Sequence, residues 1–230
     1  MSGGKSDNKA RERVLGAVRR ALGVRGGENA RLAIVRGRLE NRPRGPVPAR
    51  GNLAAPGRVR LFMQMAAGAD ATTERVKRNE DILPAVEKFL AAHDLRHELV
   101  HGADAFIAAL DWGGHKNIRR REGVARGSDE VSLTRAFAGV AETGTLVMLS
   151  GPDNPVTLNF LPFSQIAIVE AGDIAGDYET VWQRLRQHLG DGTMPRTVNW
   201  ITGPSRTADI GQMLLLGAHG PARLHIIVVG

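Results

Sequence analysis

Apolar positions along the chain follow two different periods. From Ala10 to Leu22, Val14, Leu15, Val18 and Leu22 fall on one side of a helix with arginines around them, and Gly23 ends the run. Ala30 to Leu39 carries another turn or two. From Asn79 the pattern is helical again: Asp81, Ile82, Leu83, Val86, Phe89 and Leu90 give the spacing, and Pro84 suits a first turn. Tyr178 to Leu189 repeats that pattern through Val181, Trp182, Leu185 and Leu189. Between these lie short strand-like runs at Arg96–His101, Val140–Leu149, Gln165–Val169, Thr197–Thr202 and Leu224–Val229. Ala103–Leu110, Ser132–Ala136 and Thr207–Leu216 read as helices or helix entries, and Asn154–Leu161 as a helix or a turn. Leu61–Ala67 fits a strand or a helix equally.

Short apolar strands separated by helices predict an α/β fold. Its three layers would be a largely parallel, mixed sheet with helices on both faces. From Asn41 to Arg60 the composition changes: Pro43, Gly45, Pro46, Pro48, Gly51, Pro56 and Gly57 predict an extended linker. Two parts are therefore expected: a basic arm over residues 1–60, with a short amphipathic helix and a linker, and an α/β domain over 61–230.

Charge divides the same way. Residues 1–60 hold 15 Lys and Arg against 4 Asp and Glu, while the remaining 170 hold 16 against 20. The net +7 thus belongs to the arm, over a mildly acidic body. Few aromatics accompany the arginines, and nucleic acid would call for a basic face with stacking rings, so nucleic acid is disfavoured as a partner. A solvated or partner-docking arm fits better. Arg119-Arg120-Arg121 is read as a solvated face, or as a surface that attracts an acidic partner or an anionic substrate. No apolar run approaches the length of a membrane span, and the N-terminus lacks a secretory apolar segment, which predicts a cytoplasmic protein. With no cysteine, the chain supplies no thiol nucleophile, disulfide or cysteine ligand for zinc or an iron–sulfur cluster. No cofactor is expected of it.

Two segments concentrate chemistry. In Ala141-Glu142-Thr143-Gly144-Thr145, Gly144 permits a tight turn, and the hydroxyls of Thr143 and Thr145 can converge with N–H groups on an anion. Glu142 is a candidate base or nucleophile there. The plainer reading is a hairpin turn. In Gly203-Pro204-Ser205-Arg206-Thr207-Ala208-Asp209-Ile210, Gly203 closes a strand, and Ser205 or Thr207 would cap a following helix whose N–H groups attract anions. Asp209 is a candidate acid–base group. His219, before the last strand, is a candidate proton shuttle. No dinucleotide or Walker loop occurs.

His97-Glu98-Leu99-Val100-His101 matches the zinc-peptidase pattern in letters. That chemistry needs a helix, whereas a strand would separate the two histidines by about 13 Å, so no metal site is assigned.

Ala141–Val147, Leu161-Pro162 before an apolar strand, Gly203–Ile210 and His219-Gly220-Pro221 occur in that order. This series resembles the LUD-domain family, in its lactate utilization protein C branch, most strongly over residues 124–229. The resemblance implies a fold like that of the NagB/RpiA/CoA-transferase group. It also implies a part in oxidising L-lactate to pyruvate beside iron–sulfur partner proteins, as a subunit without a cluster that binds a small carboxylate or other anion. Where that branch commonly has His-Ile, this chain has Gln165-Ile166. Two other readings stay open: a stand-alone isomerase or CoA/acyl-transferase of the same fold, and a non-catalytic scaffold or regulatory subunit.

Overall fold

The computed structural model describes residues 3–25, 27–190, 193–210 and 213–230, with backbone alone at 3–7, 207–210 and 213–216. It comprises two compact units, Met1–Gly45 and Pro46–Gly230. The first holds α1 (Gly3–Ala21) and α2 (Asn29–Asn41). Arg42, left-handed at φ 44°, ends α2 before Pro43. No residue of α2 is buried, and Val14, Val18, Ile34, Val35 and Leu39 all stand exposed.

The second unit begins with the proline-rich stretch and then α3 (Ala55–Gly68), where Pro56 lies in the first turn. An unused amide costs nothing there. After α3 come β1 (Thr72–Val76), α4 (Ile82–Ala92), β2 (Glu98–His101), a single-turn α5 (Ala105–Ala108), β3 (Arg119–Glu122) and β4 (Val131–Arg135). The chain continues through β5 (Ala138–Val140), β6 (Thr145–Leu149), β7 (Ser164–Glu170), β8 (Ile174–Ala175) and α6 (Tyr178–Leu189). It closes with β9 (Val198–Ile201), β10 (Arg206–Ile210), β11 (Met213–Leu216) and β12 (Arg223–Val229).

Six strands form one parallel sheet in the order β1-β12-β7-β4-β2-β3. Its inner strands are apolar on both faces, as a sheet covered twice requires. On one face, Ile166, Ile168, Ile227 and Val229 pack against Ile82, Val86, Phe89 and Leu90 of α4. On the other, Ala167, Val169, Ile226 and Val228 meet Val59, Phe62 and Ala66 of α3. A second sheet, β8-β5-β6-β9, lies beyond α3, and Phe62 fits where Gly139 leaves room: a Cβ there would sit 3.0 Å from its ring. The expected three-layer α/β architecture is therefore present, with one outer layer built partly of strands.

One open local reading is settled and two change. Leu61–Ala67 is helical within α3. Ser132–Ala136 opens no helix: Ser132 and Thr134 are buried strand residues, and their hydroxyls donate to the carbonyls of Leu158 (2.7 Å) and Ile166 (3.4 Å). Polar side chains in a buried strand are tolerated once bonded, so the polar alternation misleads. Thr207–Leu216 is no helix either, but the antiparallel hairpin β10–β11, pairing Thr207 with Leu215 and Ile210 with Met213. The helix-end anion site expected at Ser205 and Thr207 therefore has no helix to supply it.

Candidate functional site

The β5–β6 turn is held on three sides. The N–H groups of Ala141 and Glu142 donate to the carbonyls of Ala175 (2.8 Å) and Gly176 (3.2 Å), and Gly144 N–H donates to Val140 (2.9 Å). Gly144 has φ 68°, and a Cβ on it would lie 2.2 Å from the backbone nitrogen of Ala66. Only glycine serves there, because the turn abuts the last turns of α3.

Glu142 is 3% exposed. Its Oε1 accepts from the N–H of Tyr178, the first residue of α6, at 3.4 Å, and its Oε2 has no partner among the described residues. A carboxylate at a helix N-terminus complements the dipole, yet an unbonded buried oxygen is costly and invites a donor. Beside it runs a ladder of hydroxyls. Thr143 lies 2.7 Å from Thr145 and 2.9 Å from Tyr178; Thr145 lies 2.9 Å from Tyr178 and 2.6 Å from Thr202.

Thr202 leads into Gly203, at φ 71°, where a Cβ would meet the Ala69 carbonyl at 2.1 Å. Both motif segments thus converge on the C-terminal end of α3. Beyond Gly203 the environment changes. Ser205 N–H donates to Pro221 (2.8 Å), its carbonyl accepts from Gly217 (3.0 Å), and its Oγ accepts from the N–H of His219 (3.2 Å). Ser205 therefore shapes the His219 loop. His219 borders a cavity of about 700 Å³ with Arg96, Asp129, Glu130, Phe160 and Phe163, next to the starts of β4, β7 and β12. Burial raises the Asp129 carboxyl, but the Arg126 N–H and the Arg121 guanidinium outweigh it and hold the group below its ordinary value.

Thr143, Gly144, Thr145 and Gly203 are thus brought together beside Glu142, and Ser205 joins His219 separately. Among the described residues no hydrogen bond links Glu142 to Ser205 or His219. The side chains of Thr207 and Asp209 lie outside the described residues; their backbone is in β10. Sequence reading passed over Tyr178 and Thr202, the hydroxyls that complete the ladder. Gln165 is buried, and its Nε2 donates to Thr134 (3.1 Å) and Asn159 (2.9 Å), tying β7 to β4. His97 immediately precedes β2 and His101 is its last residue. His101 is fully buried, with Nδ1 2.7 Å from the Gly102 carbonyl.

The family model for the LUD domain matches residues 63–229. The chain belongs to the LUD domain family. Lactate utilization protein C of Bacillus subtilis is 35% identical over 117 residues, 50% of this chain and 47% of that protein. The protein of the same name from Anoxybacillus flavithermus is 29% identical over 143 residues, 61% and 62% of the two chains. The matched region spans about half the length of the B. subtilis relative. A crystal structure of a DUF162 family protein from Deinococcus radiodurans shares the fold at 20% identity, with a TM-score of 0.61 over 77% of this chain and 99% of that one.

Proposed function

We propose that this LUD domain protein is a subunit of an L-lactate utilization system in the cytoplasm. In this reading it works beside iron–sulfur proteins and holds a small anionic substrate at the Glu142 turn. Conversion of L-lactate to pyruvate releases two electrons and two protons. The Cα hydrogen leaves with both electrons to a two-electron acceptor held by the partner proteins, and this chain's own part is to orient the substrate and accept the hydroxyl proton. The observation that carries this reading is Glu142: buried, with Oε1 on Tyr178 and Oε2 without a partner among the described residues, beside four clustered hydroxyls. A substrate hydroxyl donating to Oε2 would satisfy it, which is the contact a general base needs.

Thr143, Gly144, Thr145 and Gly203 line this position. Ser205 and His219, bonded to each other apart from this turn, are assigned to ligand binding and proton transfer, as Thr207 and Asp209 are from the sequence alone. The basic arm over residues 1–45 docks on the partner proteins. Relatives named lactate utilization protein C support the pathway. The close seating of Gly144 and Gly203 on α3 favours a second reading, in which the turn is a structural joint and the chain a scaffold.

Growth separates the two. A deletion strain should fail on L-lactate as sole carbon source and recover with the wild-type gene. Under the scaffold reading, the Glu142→Gln and Asp209→Asn variants restore growth fully, whereas removal of residues 1–45 does not. Normal growth of the deletion strain, in a background without another lactate dehydrogenase, would end both readings.

A further inference from the structure

A hydroxyl has one proton to donate and two lone pairs with which to accept. The balance of protons against contacts therefore fixes which groups a hydroxyl cluster can still serve. Thr143, Thr145, Tyr178 and Thr202 bring four protons and make four contacts: Thr143 with Thr145 (2.7 Å), Thr143 with Tyr178 (2.9 Å), Thr145 with Tyr178 (2.9 Å) and Thr145 with Thr202 (2.6 Å). Each contact consumes one proton, which uses them all. Whichever way the protons run round the Thr143–Thr145–Tyr178 triangle, Thr202 must donate to Thr145. Thr145 is fully buried, and its three partners take its proton and both lone pairs. The lone pairs that remain lie on half-buried Thr143 and Tyr178 and on exposed Thr202. A ligand thus meets acceptors.

The rest of the turn has the same character. The N–H groups of Ala141, Glu142 and Gly144 are spent on the carbonyls of Ala175, Gly176 and Val140. Glu142, acting as a base, adds acceptors and a negative charge. A carboxylate or a ketone brought against this wall sets acceptor against acceptor, or must break a bond of the cluster to obtain a proton. An alcohol has a proton of its own to give.

We infer that the Glu142 turn selects its ligand by a donated proton: it takes the hydroxyl end of a small 2-hydroxy acid, with the carboxylate turned away, and rejects the corresponding 2-keto acid. This rests on the lactate reading of the turn and adds the feature that tells substrate from product. A site built on the hydrogen bond of a substrate hydroxyl discriminates against an analogue without it, because the site's own polar groups are then left unpaired. Thr145 is the positioning residue. It touches no ligand, yet it absorbs the protons that would otherwise serve a carbonyl.

The test is calorimetric titration of the full-length protein with L-lactate, pyruvate and propionate, three carboxylates of equal charge that differ in the group at C2. L-Lactate should bind about tenfold or more tightly than either of the others. Two variants separate the proton balance from the mere loss of a hydroxyl. Thr145→Val leaves three hydroxyls with only the Thr143–Tyr178 contact, frees two protons for a carbonyl, and should bring pyruvate level with L-lactate. Thr202→Val leaves three hydroxyls with three contacts, frees none, and should keep the preference. Thr145→Ser should restore it. Pyruvate or propionate binding the wild type as tightly as L-lactate would overturn the inference and leave an anion site at the turn. A preference untouched by Thr145→Val, or lost equally in Thr202→Val, would overturn it too. Binding of none of the three would end the lactate reading of the turn, and the inference with it.

Discussion

His225 should make stability depend on pH in a way that one substitution removes. It sits on β12 between β1 and β7, 5% exposed, with Nδ1 2.8 Å from the Thr72 hydroxyl and its ring stacked on Phe89 at 4.6 Å. Nε2 has no partner among the described residues. Burial, only partly opposed by Glu74, lowers its pKa from an ordinary 6.5 to about 4. The folded state therefore resists a proton that the unfolded state accepts. Between these two values the unfolded chain binds more protons, so stability falls as pH falls. The loss begins near 6.5 and saturates below about 4, at a limit of about 3 kcal/mol. From pH 7.5 to 5.5 the share due to this group is about 1.4 kcal/mol, in a range where most carboxylates stay ionised. Urea unfolding of wild type and His225→Gln at both pH values measures it, because the other histidines cancel in the difference. Equal pH dependence in the two proteins would refute the reasoning.

Gly144→Ala should cost roughly 3 kcal/mol in urea unfolding, since a left-handed alanine and a backbone collision at Ala66 add together; a change below ~1 kcal/mol would show that the turn can move off α3. Thr145→Val removes the hydroxyl that Thr143, Tyr178 and Thr202 share, and should cost about 2 kcal/mol, more than Thr143→Val, measured the same way. Gln165→Leu should cost about 2 kcal/mol by leaving Thr134 and Asn159 unbonded; a stable variant would mean that water replaces the amide.

What was legible in the sequence follows physical range. Helix α6 was found to the residue, because amphipathic spacing is local; Asp177 caps it by accepting from Thr180 N–H at 2.8 Å. Strands β7 and β12 were legible as largely apolar runs of strand length. Strand β4 was missed because partners as distant as Leu158 and Ile166 make buried Ser132 and Thr134 acceptable. The β10–β11 hairpin was missed because Met213–Leu216 is apolar throughout and shows no period, although Gly211-Gln212 between two strand-length runs is a turn signal. Glu142–Thr145 could be read as a site from its own residues. Its partners Tyr178 and Thr202, some 33 and 57 residues from Thr145, could not.

The most direct test of the central claim is L-lactate oxidation in extracts of the deletion strain complemented with wild type or Glu142→Gln, at protein levels matched by immunoblot. Gln keeps the size of the side chain and an acceptor for Tyr178, so the fold should survive. It removes the base, and the rate should fall at least tenfold. An unchanged rate at matched abundance would contradict the assignment of proton transfer to Glu142 and leave the turn a structural joint.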